Sequence, residues 1–345
     1  MLTFAKKLHP LAKHYNIPVF IPELACPFQC AFCNQRKISG HIAIPDKEEI
    51  LKIIKSRLDT FPKEEKIVEI AFFGGSFTGL PLQQQQYFLQ IAQPFLNEGK
   101  IQGIRLSTRP DYINQKVLDL LKRYGVTTIE LGAQSFNNDV LKASFRGHTA
   151  KQTEEASKMI LKHGFQLGLQ MMIGLPEDTL EKALFTAKRI AELGASSTRI
   201  YPTVVIKDTA LHHWYRHGKY KPLSLEQAVE WTKPLLLFFE EKKVRVIRTG
   251  LHPSESLTNG DELVAGPFHP SFKELVMTEI WNDLLKSVKT SKKKKLLLKV
   301  LEKELNYAVG YRGKNKKMLL KFFSEVKFTA DPSIKHRTGF QAEWY

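Results

Sequence analysis

The 345-residue sequence predicts an α/β fold built around an open, partial (β/α)6 barrel, on two observations. Apolar, β-rich runs alternate with amphipathic helical stretches, which implies right-handed crossovers and a parallel sheet. The residues with the most distinctive chemistry, Gly74, Gly75, Ser107, Gln134, Gln170 and Tyr201, all fall at or just beyond the C-terminal ends of those runs. Barrels of this type carry their sites at that edge.

Each unit can be read in order. Ile17-Pro-Val-Phe-Ile21 is the first strand, followed by helix-period sequence from about Asp46 to Leu58. Ile67 to Phe73 is the second; it runs into Gly74-Gly75-Ser76, and a Gln-rich helix spans about Leu82 to Leu96. Ile104 to Ser107 is the third and meets Thr108-Arg109-Pro110-Asp111. Val126 to Leu131 is the fourth, with Gly132-Ala-Gln-Ser135 after it and helices on either side of Arg146-Gly-His-Thr149. Gln166 to Ile173 stops at Gly174-Leu-Pro176, and Thr198 to Pro202 closes the sixth. Beyond residue 250 the pattern changes, with helices expected at about Phe272 to Leu285 and Lys292 to Leu305. The expected division is a barrel over residues 1–250 and a basic, mainly helical C-terminal extension over 251–345.

All three cysteines lie in one loop just past the first strand, Cys26-Pro-Phe-Gln-Cys30-Ala-Phe-Cys33. Thiolates favour soft metals, so the C-x3-C-x2-C spacing points to an iron–sulfur cluster or zinc. A cubane cluster has four irons, and three cysteines leave one of them open to a small molecule. A closed zinc site needs a fourth protein ligand, for which His41 is the nearest imidazole.

This loop resembles the signature of the radical S-adenosylmethionine (SAM) enzymes, and the barrel would then be a TIM-type radical SAM barrel. The resemblance implies a [4Fe-4S] cluster on Cys26, Cys30 and Cys33, with SAM chelating the fourth iron and Phe32 flanking the adenine side. It also implies reductive cleavage of SAM to a 5′-deoxyadenosyl radical, with an electron donor such as flavodoxin or ferredoxin. Carried over residue by residue, Gly74 and Gly75 match the turn that meets the SAM amino group, and Ser107 the polar residue ending strand three. Gln134 matches the glutamine ending strand four, and Arg146 the arginine that reaches the SAM carboxylate. Gln170 matches the ribose-binding position and Tyr201 the residue near the adenine.

Within that superfamily, Ser107-Thr-Arg-Pro-Asp-Tyr112, Ile129-Glu-Leu-Gly-Ala-Gln-Ser135, Phe145-Arg-Gly-His-Thr149 and Tyr201-Pro-Thr-Val-Val-Ile206 resemble the radical SAM domain of the elongator catalytic subunit, a tRNA wobble-uridine modifying enzyme. The likeness covers about residues 15 to 250. The elongator enzyme spaces its first two cysteines more widely and continues into an acetyltransferase domain, which is expected to be lacking here, so a different reaction is open. Two other readings stand beside it. Oxygen-independent coproporphyrinogen oxidases usually carry a further cysteine two residues after the third, where this chain has Gln35. A zinc-stabilised RNA-binding protein without catalysis is the other.

Composition supports a folded protein, and its charge points equally to a polyanionic partner and to a solvated helix face kept soluble by lysine. Hydrophobic residues make up 43% of the chain, enough for a sizeable core. No apolar run reaches the roughly 18 residues of a membrane span, so no membrane partner and a cytoplasmic location are expected. Of the net charge of +17, residues 286–345 supply +11, from 16 Lys and Arg against 5 Asp and Glu. That tail is expected to dock a structured RNA, with tRNA foremost, through Lys292 to Lys295 and Lys314 to Lys317 on phosphates. Tyr307, Tyr311, Phe322, Phe323 and Trp344 are expected to stack on bases or to pack against the barrel.

Overall fold

Apolar runs buried on both faces of a parallel sheet form the barrel strands, and a computed structural model describes residues 13–21, 30–34, 45–288 and 295–345. The strands are β1 Lys13–Ile21, β2 Lys66–Gly74, β3 Gly103–Thr108, β4 Val126–Gln134, β5 Gln166–Ile173, β6 Ser197–Pro202, the two-residue β7 Val205–Ile206 and β8 Arg245–Thr249. All but β7 form one parallel sheet in the order β1-β2-β3-β4-β5-β6-β8. Sequence neighbours pair throughout, as consecutive right-handed crossovers require. The sheet therefore holds a seventh strand, β8, beyond the six read from sequence; Arg245 and Arg248 break its apolar run and hide it.

Helices cover the outer face, and side-chain caps start them: Asp46 with Glu49, Thr149 with Gln152 and Ser224 with Gln227 form capping boxes. The core between sheet and helices is aliphatic, with Ile17, Ile70, Ile104, Ile129, Leu167 and Ile190 fully buried. Among the described residues no helix is long and apolar enough to cross a membrane.

The helix Phe272–Leu285 forms as expected and packs on the helix Leu225–Glu241. Beyond it the expectation fails. Lys295–Val300 is a strand, β10, where a helix was expected from Lys292 to Leu305, and it lies between β11 Glu325–Ala330 and β12 Gln341–Trp344. A short strand β9, Leu263–Ala265, pairs with β7. Lysine and leucine favour helices in isolation, but Leu296, Leu298 and Val300 alternate and are fully buried on one face against Trp281, Leu319, Phe323 and Val326. Period-two packing overrides propensity, and the extension is a mixed α and β unit rather than mainly helical.

The lysine cluster also divides. Lys292 to Lys294 lie outside the described residues, Lys295 pairs with Glu325 at 3.0 Å, and Lys314 pairs with Glu279. Asn315 is buried, whereas Lys316 and Lys317 are exposed. Of the aromatics, Phe323 is core, Tyr307 packs on it and Tyr311 meets His269 edge-on, which leaves Phe322 and Trp344 at the surface.

Candidate active site

The C-terminal edge of the sheet is shaped by backbone that only particular residues allow. β2 ends at Gly74, in register with Ile21 at the end of β1, and Gly75 N–H donates to the Ile21 carbonyl at 3.0 Å. Gly74 has φ +112°, and a Cβ there would stand 2.4 Å from the Ile21 oxygen. An alanine at 74 therefore meets both a forbidden conformation and a backbone clash. Gly74→Ala should cost about 2–4 kcal/mol and displace the end of β1 from which the cysteine loop departs. Thermal unfolding checks this; an unchanged Tm would contradict it.

β4 ends irregularly. Its register with β5 shifts between Gly132 and Gln134, and Gln134 takes φ +64°. The helix Asn138–Ala143 then stops in a Schellman turn: Phe145 N–H donates to the Lys142 carbonyl and Arg146 N–H to the Leu141 carbonyl. The left-handed position of that turn, usually glycine, is Phe145 at φ +54°. The turn delivers Arg146 inward, where it is 7% exposed. Its guanidinium donates to the Gly132 carbonyl at 2.8 Å and reaches Cys30 Sγ at 3.3 Å. Gly132 is needed for this approach, since a Cβ would stand 2.8 Å from Arg146 Nη2.

A second guanidinium flanks the same sulfur. Arg109 is buried and forks onto Asp111, with Nε to Oδ1 at 2.9 Å and Nη2 to Oδ2 at 3.0 Å, and its Nη1 lies 4.0 Å from Cys30 Sγ. Two fixed positive charges at one thiol suit an anionic, thiolate-ligated group. Thr78 and Thr108 share a hydroxyl hydrogen bond at 2.6 Å, which ties the turn after β2 to the end of β3.

These elements form a cleft open to solvent, lined by Cys30, Phe32, Cys33, Gly74, Gly75, Ser107, Gln134, Arg146 and Gln170 among the residues expected from sequence. Ser76, Thr108, Arg109 and Gly132 join them. Cys26 and His41 lie outside the described residues. Tyr201 is not on the cleft wall; its hydroxyl accepts from Arg199 at 3.4 Å. Two buried polar atoms of the wall, Gln134 Oε1 and Arg146 Nε, have no hydrogen-bond partner among the described residues. Buried polar atoms are normally satisfied, so an unpaired acceptor and an unpaired donor on one wall fit a bound group with both functions. The two thiols, the glycine cradle and these two atoms suit a cluster with an amino-acid-bearing cofactor.

Beneath the cleft the barrel interior is charged. Glu130 is 1% exposed and accepts from Arg105 Nη1 at 2.8 Å, Arg199 Nε at 2.6 Å, Arg199 Nη2 at 3.0 Å and Gln170 Nε2 at 3.1 Å. Glu69 binds Arg105 Nε at 2.9 Å and His14 Nε2 at 2.8 Å. Burial alone would raise the Glu69 pKa, but the His14 hydrogen bond, the Arg105 charge and the Thr127 hydroxyl outweigh it and hold the carboxyl at about 2. His148 goes the other way: burial, with the Arg146 and Arg109 charges, pushes its imidazole down to about 2, so it stays neutral against the Ala133 carbonyl.

Comparison with known proteins agrees with this architecture. Residues 21–190 match the model of the radical SAM superfamily, and residues 195–282 match the radical SAM C-terminal domain. A tRNA uridine(34) acetyltransferase of Methanocaldococcus infernus is 27% identical over 47% of this chain and 34% of its own length. The human Elongator complex protein 3 is 31% identical over 49% of this chain and 35% of its own. The chain thus spans about a third of the length of these curated relatives. The solved structure of the archaeal Methanocaldococcus infernus Elp3 with an N-terminal deletion shares the fold, with a TM-score of 0.62 at 21% identity, covering 79% of this chain and 63% of that one.

Proposed function

This chain belongs to the radical SAM superfamily, whose cofactors are a [4Fe-4S] cluster and SAM, and on that footing we propose that it modifies RNA, with tRNA as its substrate. When bound, the cluster and SAM supply a 5′-deoxyadenosyl radical that can take hydrogen from a substrate C–H bond. Every other task falls to the protein. In this reading Cys26, Cys30 and Cys33 hold the cluster, and Arg109 and Arg146 balance its charge from one side. Gln134 Oε1 is an acceptor for the SAM ammonium, and Arg146 Nε a donor for its carboxylate. Gly74 and Gly75 let backbone approach the same end, Ser107 and Gln170 contribute polar contacts from β3 and β5, and Phe32 covers the adenine. An external one-electron donor of the flavodoxin or ferredoxin type completes the system.

The substrate class rests on one observation: relatives named for tRNA uridine 34 and for Elongator match across roughly half of this chain. The basic extension supports it, since Lys303, Lys316, Lys317 and Lys321 are exposed on a unit with a large positive excess. Acetyl transfer is not carried over, because the match covers about a third of those relatives. Deleting the gene and comparing modified nucleosides by mass spectrometry is the test. Loss of one modified nucleoside from tRNA is the expected result. An unchanged profile, together with binding to tRNA no tighter than that of an unrelated basic protein, would overturn it.

A further inference from the structure

Next in the chain to Arg146 of the cleft wall stands an exposed ring where the backbone would be better served by glycine. Phe145 closes the Schellman turn at φ +54°, a conformation that a bulky residue adopts only under strain. Burial does not offset the strain, because the ring is 53% exposed. Among the described residues its aromatic neighbour is Trp214, which meets it edge-on at 5.1 Å between centroids.

The turn and the helix that bears Trp214 are both tied to the cysteine loop. Ala31, between Cys30 and Cys33, donates its N–H to the Ser144 carbonyl at 3.0 Å, and its own carbonyl accepts from Leu211 N–H at 2.7 Å. Phe145 thus stands next in the chain to Arg146, which lines the cleft, and its turn is hydrogen-bonded to the cysteine loop. The segment around Trp214, residues 207–221, carries Lys207, Arg216, Lys219 and Lys221 against Asp208, with three histidines; the four basic side chains are exposed. An exposed aromatic ring packed against a basic segment is an arrangement that suits single-stranded nucleic acid, the ring taking a base and the cations its phosphates.

We propose that Phe145, braced by Trp214, is a stacking platform for an unpaired nucleobase of an RNA, positioning the nucleotide at the mouth of the cleft. The proposal rests on the RNA reading above and adds to it the group that receives the base. Stacking needs a base outside a duplex, so the platform discriminates loops from helices, whereas the lysines bind both.

The test compares a hairpin RNA with an unpaired loop and a blunt duplex of the same stem, by anisotropy titration at several salt concentrations, for the wild-type chain, Phe145→Gly and Phe145→Trp. Glycine relieves the positive φ, so Phe145→Gly should unfold at the same temperature as the wild type or higher, which separates binding from folding. It should nonetheless bind the hairpin roughly tenfold more weakly, with an unchanged salt slope and unchanged duplex binding. Phe145→Trp should keep hairpin affinity. If Phe145→Gly binds the hairpin as tightly as the wild type, or if Phe145→Trp falls as far as glycine, the platform is overturned while RNA binding stands. If the wild type binds neither RNA better than an unrelated basic protein, the RNA reading falls and the platform with it.

Discussion

Cys30→Ala should reduce iron and sulfide after anaerobic reconstitution from near four of each per chain to background, and abolish release of 5′-deoxyadenosine from SAM under dithionite. A cubane held by three thiolates has no spare protein ligand, so losing one leaves two irons without protein support. The fold should survive. The Cys30 side chain is small and 4% exposed, and truncation to alanine removes one sulfur, at a cost of about 1 kcal/mol. Arg146 keeps the Gly132 carbonyl and Arg109 keeps Asp111, so neither guanidinium is stranded. A folded, metal-free protein with a nearly unchanged Tm is therefore the expected product. A variant that retained full iron would remove Cys30 from the ligand set, and one that lost its fold would make the cysteine structural.

How far the sequence could be read depends on whether the signal was local. Strand and helix bounds in β2 to β6 followed from composition and turn residues, because each element's period and its punctuation lie within a few residues. The cleft was legible for the same reason: barrel topology sends every strand end to one edge, so Gly74, Gly75, Ser107, Gln134 and Gln170 could be brought together without knowing any contact. β10 was missed because the partners that make it a strand lie about 30 and 45 residues away, at Glu325–Ala330 and Gln341–Trp344, while its own lysines and leucines favour a helix. Within its own motif Arg109 carries no local signal of its role. Pro110 sets the turn that folds Arg109 onto Asp111, and only the tertiary structure brings that pair to Cys30. The barrel interior had a signal that went unread: Glu69, Arg105, Glu130 and Arg199 each interrupt an otherwise apolar strand. A charge in the middle of a buried strand needs a partner, and these four, on β2, β3, β4 and β6 of one sheet, supply one another.

That interior cluster carries the largest stability effect, and Glu130→Ala should lower the unfolding free energy by about 3–5 kcal/mol. The carboxylate accepts four hydrogen bonds, which fills its acceptor capacity, and two of its donors, Arg105 and Arg199, are buried guanidiniums. Removing it leaves Arg105 with Glu69, but leaves Arg199, among the described residues, only the Tyr201 hydroxyl at 3.4 Å and the Phe73 ring at 5.0 Å. An unbalanced buried guanidinium is the source of the loss, so glutamine at 130 should rescue little: its amide presents donors to donors. Glu130→Leu combined with Arg199→Met should recover much of the lost stability, since an apolar pair of similar size carries no stranded charge. The double variant should still bind SAM more weakly than the wild type, because Gln170 loses the carboxylate that fixes it on the cleft wall. The wild type's acid response tests the same network. Arg199 and Arg105 hold the Glu130 pKa below the usual carboxylate range, and Glu69 lies at about 2. Carboxylates depressed in the fold stabilise it fully above their unfolded pKa and lose that stabilisation as pH falls toward the folded value, so the wild-type Tm should fall between about pH 4.5 and 2. In Glu130→Ala that decline should be shallower. Equal Tm values for the wild type and Glu130→Ala at neutral pH would show that the barrel interior tolerates a lone guanidinium and would remove the network from the account of this fold.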